Sequence, residues 1–207
     1  MTALPWRWSV VGLDDLAARV VDLAAGASPA VVALDGHGSS GKTTLAGRLA
    51  AALPGAAAVL HTDDLAWYQG VFGWDEILLS DVLPVVRAGR PLRLRPPAWV
   101  ARSRPGAIEL PGDLGFLVVE GVGISRPSLV EALDVVVWVE TDEPTRLARD
   151  LPRLAAGEVS PDSYAAWLAE ENAYTTHSRP WERADLVVHG GGRLEHDPQM
   201  QVVLRDR

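Results

Sequence analysis

Within the stretch Gly36-His37-Gly38-Ser39-Ser40-Gly41-Lys42-Thr43, glycines, hydroxyls and one lysine stand at the spacing G-x-x-x-x-G-K-[ST]. A loop of this composition turns its backbone N–H groups toward phosphate oxygens. Lys42 then reaches the β and γ phosphates of a nucleoside triphosphate, and the Thr43 hydroxyl holds Mg²⁺. Residues Gly36 through Thr43, with Thr44 after them, are therefore the expected nucleotide-binding set.

Phosphoryl transfer also needs a metal carboxylate, an oriented acceptor and positive charge for the transition state. Glu120 ends the apolar run Phe116–Val119, where a strand-end acid can bind Mg²⁺ directly or through water. Asp63 and Asp64 close another apolar run, Ala57–Thr62. Asp63 is the expected base toward an acceptor hydroxyl and a further metal-side carboxylate, with Asp64 as a cap or metal-shell group. Arg146, Arg149 and Arg153 are spaced to share one helix face, and planar guanidinium groups suit phosphate oxygens. Arg149, beside Asp150, is the expected functional residue of a lid, with Arg146 a second contact to the nucleotide. Asp142 reads as a helix N-cap. His37 is expected to carry a free side chain near phosphates, and His61 to be structural.

These residues need elements to position them. Ala30–Asp35 is a continuous apolar run, read as a buried parallel strand. Thr44–Leu53 has helical spacing and stops at Pro54-Gly55. Asp14–Ala25 reads as an amphipathic helix, and Asp75–Ala88 as a helix broken or restarted near Ser80 and Pro84. Residues 91–112 alternate Leu92, Arg93, Leu94 and Arg95 before Pro96-Pro97-Ala98-Trp99, the pattern of a β-hairpin or flap. Phe116–Glu120, Asp134–Glu140 and Asp185–His189 are further strands, with helices near 143–155 and 161–175. The expected fold is a single α/β domain, 1–207: a P-loop NTPase of three layers, α/β/α. It has a five-stranded, mostly parallel sheet, a small flap, a helical lid over about 143–180 and a loose tail over 190–207.

Composition sets outer bounds. The chain has 207 residues, 48% of them apolar, with a net charge of −8 and no cysteine. That suits one domain with a sizeable core, no thiol or disulfide chemistry, and a reducing cytoplasm. No basic run points to nucleic acid, and no apolar stretch is long enough to span a bilayer. The expected partners are ATP and a small-molecule hydroxyl acceptor, with the protein a monomer or homodimer. Eight tryptophans are many for this length, and Trp67, Trp74 and Trp99 lie between the candidate base and Glu120. Tyr68, Arg93, Arg95, Arg102 and Arg104 lie there too, so aromatic and basic residues share the segment where an acceptor would sit.

Over residues 30 to 190 the chain resembles the uridine kinase-like branch of P-loop kinases, which also includes phosphoribulokinase and a pantothenate kinase type. The resemblance rests on Gly36–Thr43, His61-Thr62-Asp63-Asp64-Leu65-Ala66-Trp67, Val118-Val119-Glu120-Gly121, Arg146-Leu147-Ala148-Arg149-Asp150 and Ala184–Val188. It implies ATP and Mg²⁺ as cofactors, Asp63 as the base, Glu120 near the metal, and Arg146 and Arg149 in the lid. Leu65-Ala66 replaces an aromatic pair of the family motif. Pro97-Ala98-Trp99 stands where a Tyr-Asp-containing stretch usually helps hold the nucleoside. The resemblance therefore implies an ATP-dependent phosphotransferase acting on an alcohol, with an altered acceptor pocket. Two other readings stay open: a nucleoside monophosphate kinase using the 93–104 arginines, and a nucleotide-binding switch without an acceptor.

Overall fold

A computed structural model describes residues 7–157 and 159–206. Its centre is a parallel block of strands: β2 (Ala30–Gly36), β3 (Ala57–His61), β6 (Phe116–Glu120), β7 (Val135–Glu140) and β8 (Leu186–His189). β2 lies between β6 and β7, with Leu34 opposite Glu120 on one side and Val137 on the other. The sheet is larger than the expected five strands. β1 (Trp8–Gly12) and β9 (Gln201–Arg205) extend it to seven, in the order β1-β9-β8-β7-β2-β6-β3. β9 runs antiparallel to β8, and β1 antiparallel to β9. The segment expected to be a loose tail is thus partly a sheet strand, because Val202, Val203 and Leu204 bury their side chains and pair with β8 and β1.

Alternate residues of the central strands feed two cores, as a pleated sheet covered on both faces requires. Val32, Leu34, Val118 and Val137 face α1 (Leu13–Leu23) and α2 (Lys42–Ala52), where Leu16, Val20 and Leu49 are fully buried. Val31, Ala33, Leu117 and Trp138 face the other side, packed with Trp74, Leu78 and Trp99. The buried Trp138 indole donates to Glu140 Oε2 at 2.7 Å, so its one polar atom is satisfied.

The connections carry the site. α3 (Thr62–Ala66) follows β3 directly and places Asp63 in its first turn. The break expected near Pro84 is real: a π-helical turn over Ile77–Val82 gives way to α4 (Leu83–Arg87), with Pro84 in its first turn. Between β3 and β6 the chain forms a separate two-stranded sheet, β4 (Leu92–Leu94) with β5 (Ile108–Leu110), and the short helix α5 (Pro97–Ala101) lies between its strands. This is the expected flap. Two helices, α6 (Glu143–Ala155) and α7 (Pro161–Ser178), cover the carboxyl ends of the parallel strands. Asp142 caps α6, accepting from the Thr145 N–H at 2.9 Å.

Candidate active site

The glycine loop leaves β2 and enters α2, so its amides sit at a helix N-terminus, where partial positive charge favours anions. Gly41 makes the turn at φ +101°, a left-handed conformation that a side chain would strain. The loop lines a cleft of about 1370 Å³ with Gly38, Ser39, Gly41, Lys42, Thr43 and Thr44 exposed to it. Asp63, Glu120, Arg149 and Arg153 line the same cleft. Not every expected loop residue does so. Gly36, His37 and Ser40 are buried beneath it. His37 does not carry the free side chain expected of it: its Nδ1 lies 2.7 Å from the Oε1 of buried Glu171.

Lys42 is folded back on its own loop, donating to the carbonyl oxygens of Gly36 at 3.0 Å and His37 at 2.7 Å. Burial pushes its pKa down from the ordinary lysine value, opposed chiefly by Asp35, then by Glu120, Glu171 and Asp63. These carboxylates favour the ammonium form. Thr43 Oγ1 donates to Glu120 Oε1 at 2.9 Å, so a hydroxyl and a carboxylate from two elements stand side by side. That pair fits Mg²⁺, a hard cation that takes oxygen ligands and is commonly held by one or two protein groups plus substrate phosphate. Among the described residues no group of three or more His, Cys, Asp or Glu forms an all-protein metal cage. His61 departs from its expected structural role: its Nδ1 lies 2.7 Å from the same Glu120 oxygen.

Asp63 is accessible to solvent yet set among the cleft walls. Desolvation by those walls raises its carboxyl pKa above the ordinary range, and the Glu120 charge adds to this, while Lys42 works against it. Asp64 serves the flap, not a metal shell. Its Oδ1 accepts from Arg104 at 2.8 Å, and its backbone oxygen accepts from the Trp99 indole at 2.9 Å.

Arg149 lies over the loop, donating to Ser39 O and Gly190 O at 2.8 Å each. Arg153 also lines the cleft, whereas Arg146, expected to contact the nucleotide, does not; it pairs at 3.5 Å with buried Glu171. The residues after β8 close the remaining side, with Gly190, Gly191, Leu194 and His196 in the wall.

A stripe on α7 went unnoticed in the sequence. Tyr164, Trp167, Glu171 and Tyr174 recur at helical spacing and reach α6, the glycine loop and the end of β2. Tyr164 donates to Asp150 Oδ2 at 2.7 Å, and Asp150 also accepts from Ser39 Oγ. Burial and then Asp150 push the Tyr164 pKa up to about 12. Trp167 covers Gly38 so closely that a β-carbon there would fall 2.0 Å from its ring. Glu171, with no exposed surface, accepts from Gly38 N–H at 2.7 Å besides holding His37. Tyr174 donates to Asp35 at 2.6 Å. Asp35 also accepts from Gly36 N, Gly123 N, Ser125 N and Ser125 Oγ, at 2.6 to 2.9 Å. A buried carboxylate is stable only when so fully bonded. It ties β2, the loop after β6 and α7 into one unit. The only sequence signal was the three-four-three spacing of the α7 residues, hidden because the stripe mixes rings with an acid.

A second cavity, of about 490 Å³, adjoins the cleft. Asp63 and Trp167 line both. Its other walls include Trp67, Tyr68, Trp74 and Gln69. None of the flap arginines lines it. Arg93 pairs with Glu109, and Arg95 donates to the Arg104 carbonyl at 2.9 Å.

No family model matches the chain, and no curated protein matches it. Solved structures do. A possible uridine kinase from Bacillus stearothermophilus superposes over 84% of this chain and 98% of its own, with a TM-score of 0.53 at 20% identity. A candidate fructose transport system kinase from Silicibacter sp. TM1040 superposes over 84% of this chain and 95% of its own, with a TM-score of 0.55 at 22% identity. Identities this low speak to architecture, and the superposition extends over nearly the whole length of both structures. The chain has the fold of the uridine kinase-like P-loop kinases.

Proposed function

We propose that this protein is an ATP-dependent phosphotransferase that moves the γ-phosphoryl group to a hydroxyl of a small molecule. One observation carries the reading: Asp63 stands at the junction of the two cavities, reaching the cleft of Lys42, Thr43 and Glu120 on one side and an aromatic pocket on the other. A base for in-line transfer belongs at such a junction. The loop amides and Lys42 would hold the triphosphate, and Lys42 would exchange its two loop carbonyls for phosphate oxygens. Thr43 and Glu120 would hold Mg²⁺, with Asp63 close by; the ion neutralises charge on the β and γ oxygens. Asp63 takes the proton as the acceptor oxygen bonds to the γ phosphorus and ADP departs with the bridging electron pair. Arg149 and Arg153 lie where a guanidinium can meet phosphate, and α6 with α7 would exclude water. The monophosphate kinase alternative is disfavoured: Arg93 pairs with Glu109, Arg95 with the Arg104 carbonyl and Arg104 with Asp64, and Arg102 lies over the Tyr68 ring.

The test is ADP release from Mg-ATP with a panel of hydroxyl acceptors, uridine and cytidine among them. Acceptor-dependent release that Asp63→Asn lowers by roughly 10²–10⁴-fold is the expected result. Slow release that no acceptor changes and the substitution leaves intact would replace the kinase reading with an ATPase or switch.

A further inference from the structure

Asp150 places a carboxylate in the cleft that the proposed function gives to a triphosphate. It is buried and lines that cleft with Lys42, Thr43 and Arg149. Among the described residues, no Lys, Arg or His stands within ion-pair distance of it. Two hydroxyls hold it instead. Ser39 Oγ of the glycine loop donates to its Oδ1, and Tyr164 of α7 donates to its Oδ2 at 2.7 Å. A negative charge without a paired cation, set among groups suited to phosphate, opposes an incoming polyanion.

Arg149 strengthens the hold. Its Nη1 donates to the Ser39 carbonyl, so two consecutive residues of α6 grip Ser39 by its hydroxyl and its backbone oxygen. Ser39 takes φ +56°, left-handed backbone that few residues other than glycine adopt, and these two bonds keep it there. Other donors of the cleft are likewise turned to protein acceptors: Lys42 to two loop carbonyls, and Arg149 Nη2 to Gly190 O. Asp35 and Glu171 also accept from the loop, but neither lines the cleft, so a ligand there would not contend with them. Asp150 does contend. The Ser39 hydroxyl has one proton to donate, and it can go to a carboxylate or to a phosphate oxygen, not to both.

We propose that Asp150 is an autoinhibitory cap on the glycine loop: α6 must release Ser39 from this carboxylate before a nucleoside triphosphate can seat its phosphates. The inference rests on the nucleotide-binding half of the proposed function. Only molecules with Ser39 released are competent, so affinity and association rate are both reduced by that fraction. Loosening the cap should raise both.

An ATP analogue carrying a fluorescent N-methylanthraniloyl group on its ribose tests this on the full chain with Mg²⁺, by equilibrium titration and stopped-flow mixing. Asp150→Asn keeps the shape and loses the charge. It should bind the analogue about tenfold more tightly than the wild type, with the gain in association and not in dissociation. Tyr164→Phe changes no charge but removes the second hydroxyl that holds the cap, and should tighten binding about threefold in the same way. Glu170 is exposed on the same cleft and does not touch the cap, so Glu170→Gln should change affinity by less than about twofold. Unchanged or weaker binding by a normally melting Asp150→Asn would overturn the cap and leave the nucleotide reading standing. A gain matched by Glu170→Gln would overturn it too, as the effect of charge alone. If Asp150→Asn melts lower and binds less, Tyr164→Phe decides: tighter binding upholds the cap, and unchanged or weaker binding overturns it. No binding by the wild type or any variant would refute the nucleotide reading itself, and the cap with it.

Discussion

Beneath the larger cleft, buried polar side chains cross-link the glycine loop to its neighbours. Asp35 accepts from three backbone amides, Ser125 and Tyr174, and Glu171 holds Gly38, His37 and Arg146. Across Asp63, the smaller cavity is lined by the rings of Trp67, Tyr68, Trp74 and Trp167 among aliphatic and neutral polar residues. Under the proposed function, the contrast follows from two tasks. Phosphates carry fixed charge and demand fixed donors, so the loop must be held before the ligand arrives. An acceptor held by stacking needs shape and apolar area, which rings supply with little hydrogen bonding.

If the two regions are built so differently, substitutions in them should separate nucleotide binding from acceptor choice. On the nucleotide side Lys42→Ala should lower turnover most, by roughly 10²–10³-fold, as loss of one preorganised transition-state donor does elsewhere. Steady-state kinetics checks this, and a loss confined to the acceptor KM would contradict it. Next in size is Glu171→Ala. It strands buried His37, Gly38 N–H and Arg146, and should cost about 3 kcal/mol in urea unfolding. A change under about 0.5 kcal/mol would mean the network under the loop does not hold it, since that is the size of an ordinary surface substitution.

The division also explains what could be read from the sequence. β2, α2, β6, β7 and β8 were visible because a parallel strand buried on both faces is a continuous apolar run, and the glycine loop is contiguous. β1 and β9 were missed. Each is five residues long, and β9 follows a polar, glycine-led segment, so no local pattern announces that their backbones pair. Asp63, Thr43 and Glu120 were found because each sits at a strand end or loop position that a motif defines. Glu171 with His37, Tyr174 with Asp35, and Arg104 with Asp64 were not, for residue type does not name a partner 40 to 139 residues away. The flap arginines looked like an anion site because basic residues cluster there; their partners, Glu109, Asp64 and the Tyr68 and Trp99 rings, appear only in three dimensions.

Two smaller effects sharpen the comparison at its boundary and its rim. The Asp63 carboxyl pKa is raised in the folded protein, so its ionised form destabilises the fold relative to the unfolded chain. That penalty is absent below the unfolded carboxylate range and grows as pH rises through the folded value. In metal-free buffer, Asp63→Asn should therefore melt higher than the wild type at pH 7, with the difference vanishing toward pH 3; a thermal-melt series that shows no such trend would mean Asp63 is not desolvated. Arg93→Ala should do least. Its pair with Glu109 is exposed on both sides, and loss should shift unfolding by no more than about 0.5 kcal/mol, with no change in acceptor preference.

The central claim is that Asp63 activates an acceptor hydroxyl between the two cavities. Single-turnover ³¹P NMR with Mg-ATP and an acceptor alcohol follows the γ-phosphoryl group itself. The account predicts a new phosphomonoester resonance with the wild type and its near-absence with Asp63→Asn, while both proteins bind Mg-ATP equally well. Inorganic phosphate appearing at the same rate in both, with no phosphomonoester, would contradict it.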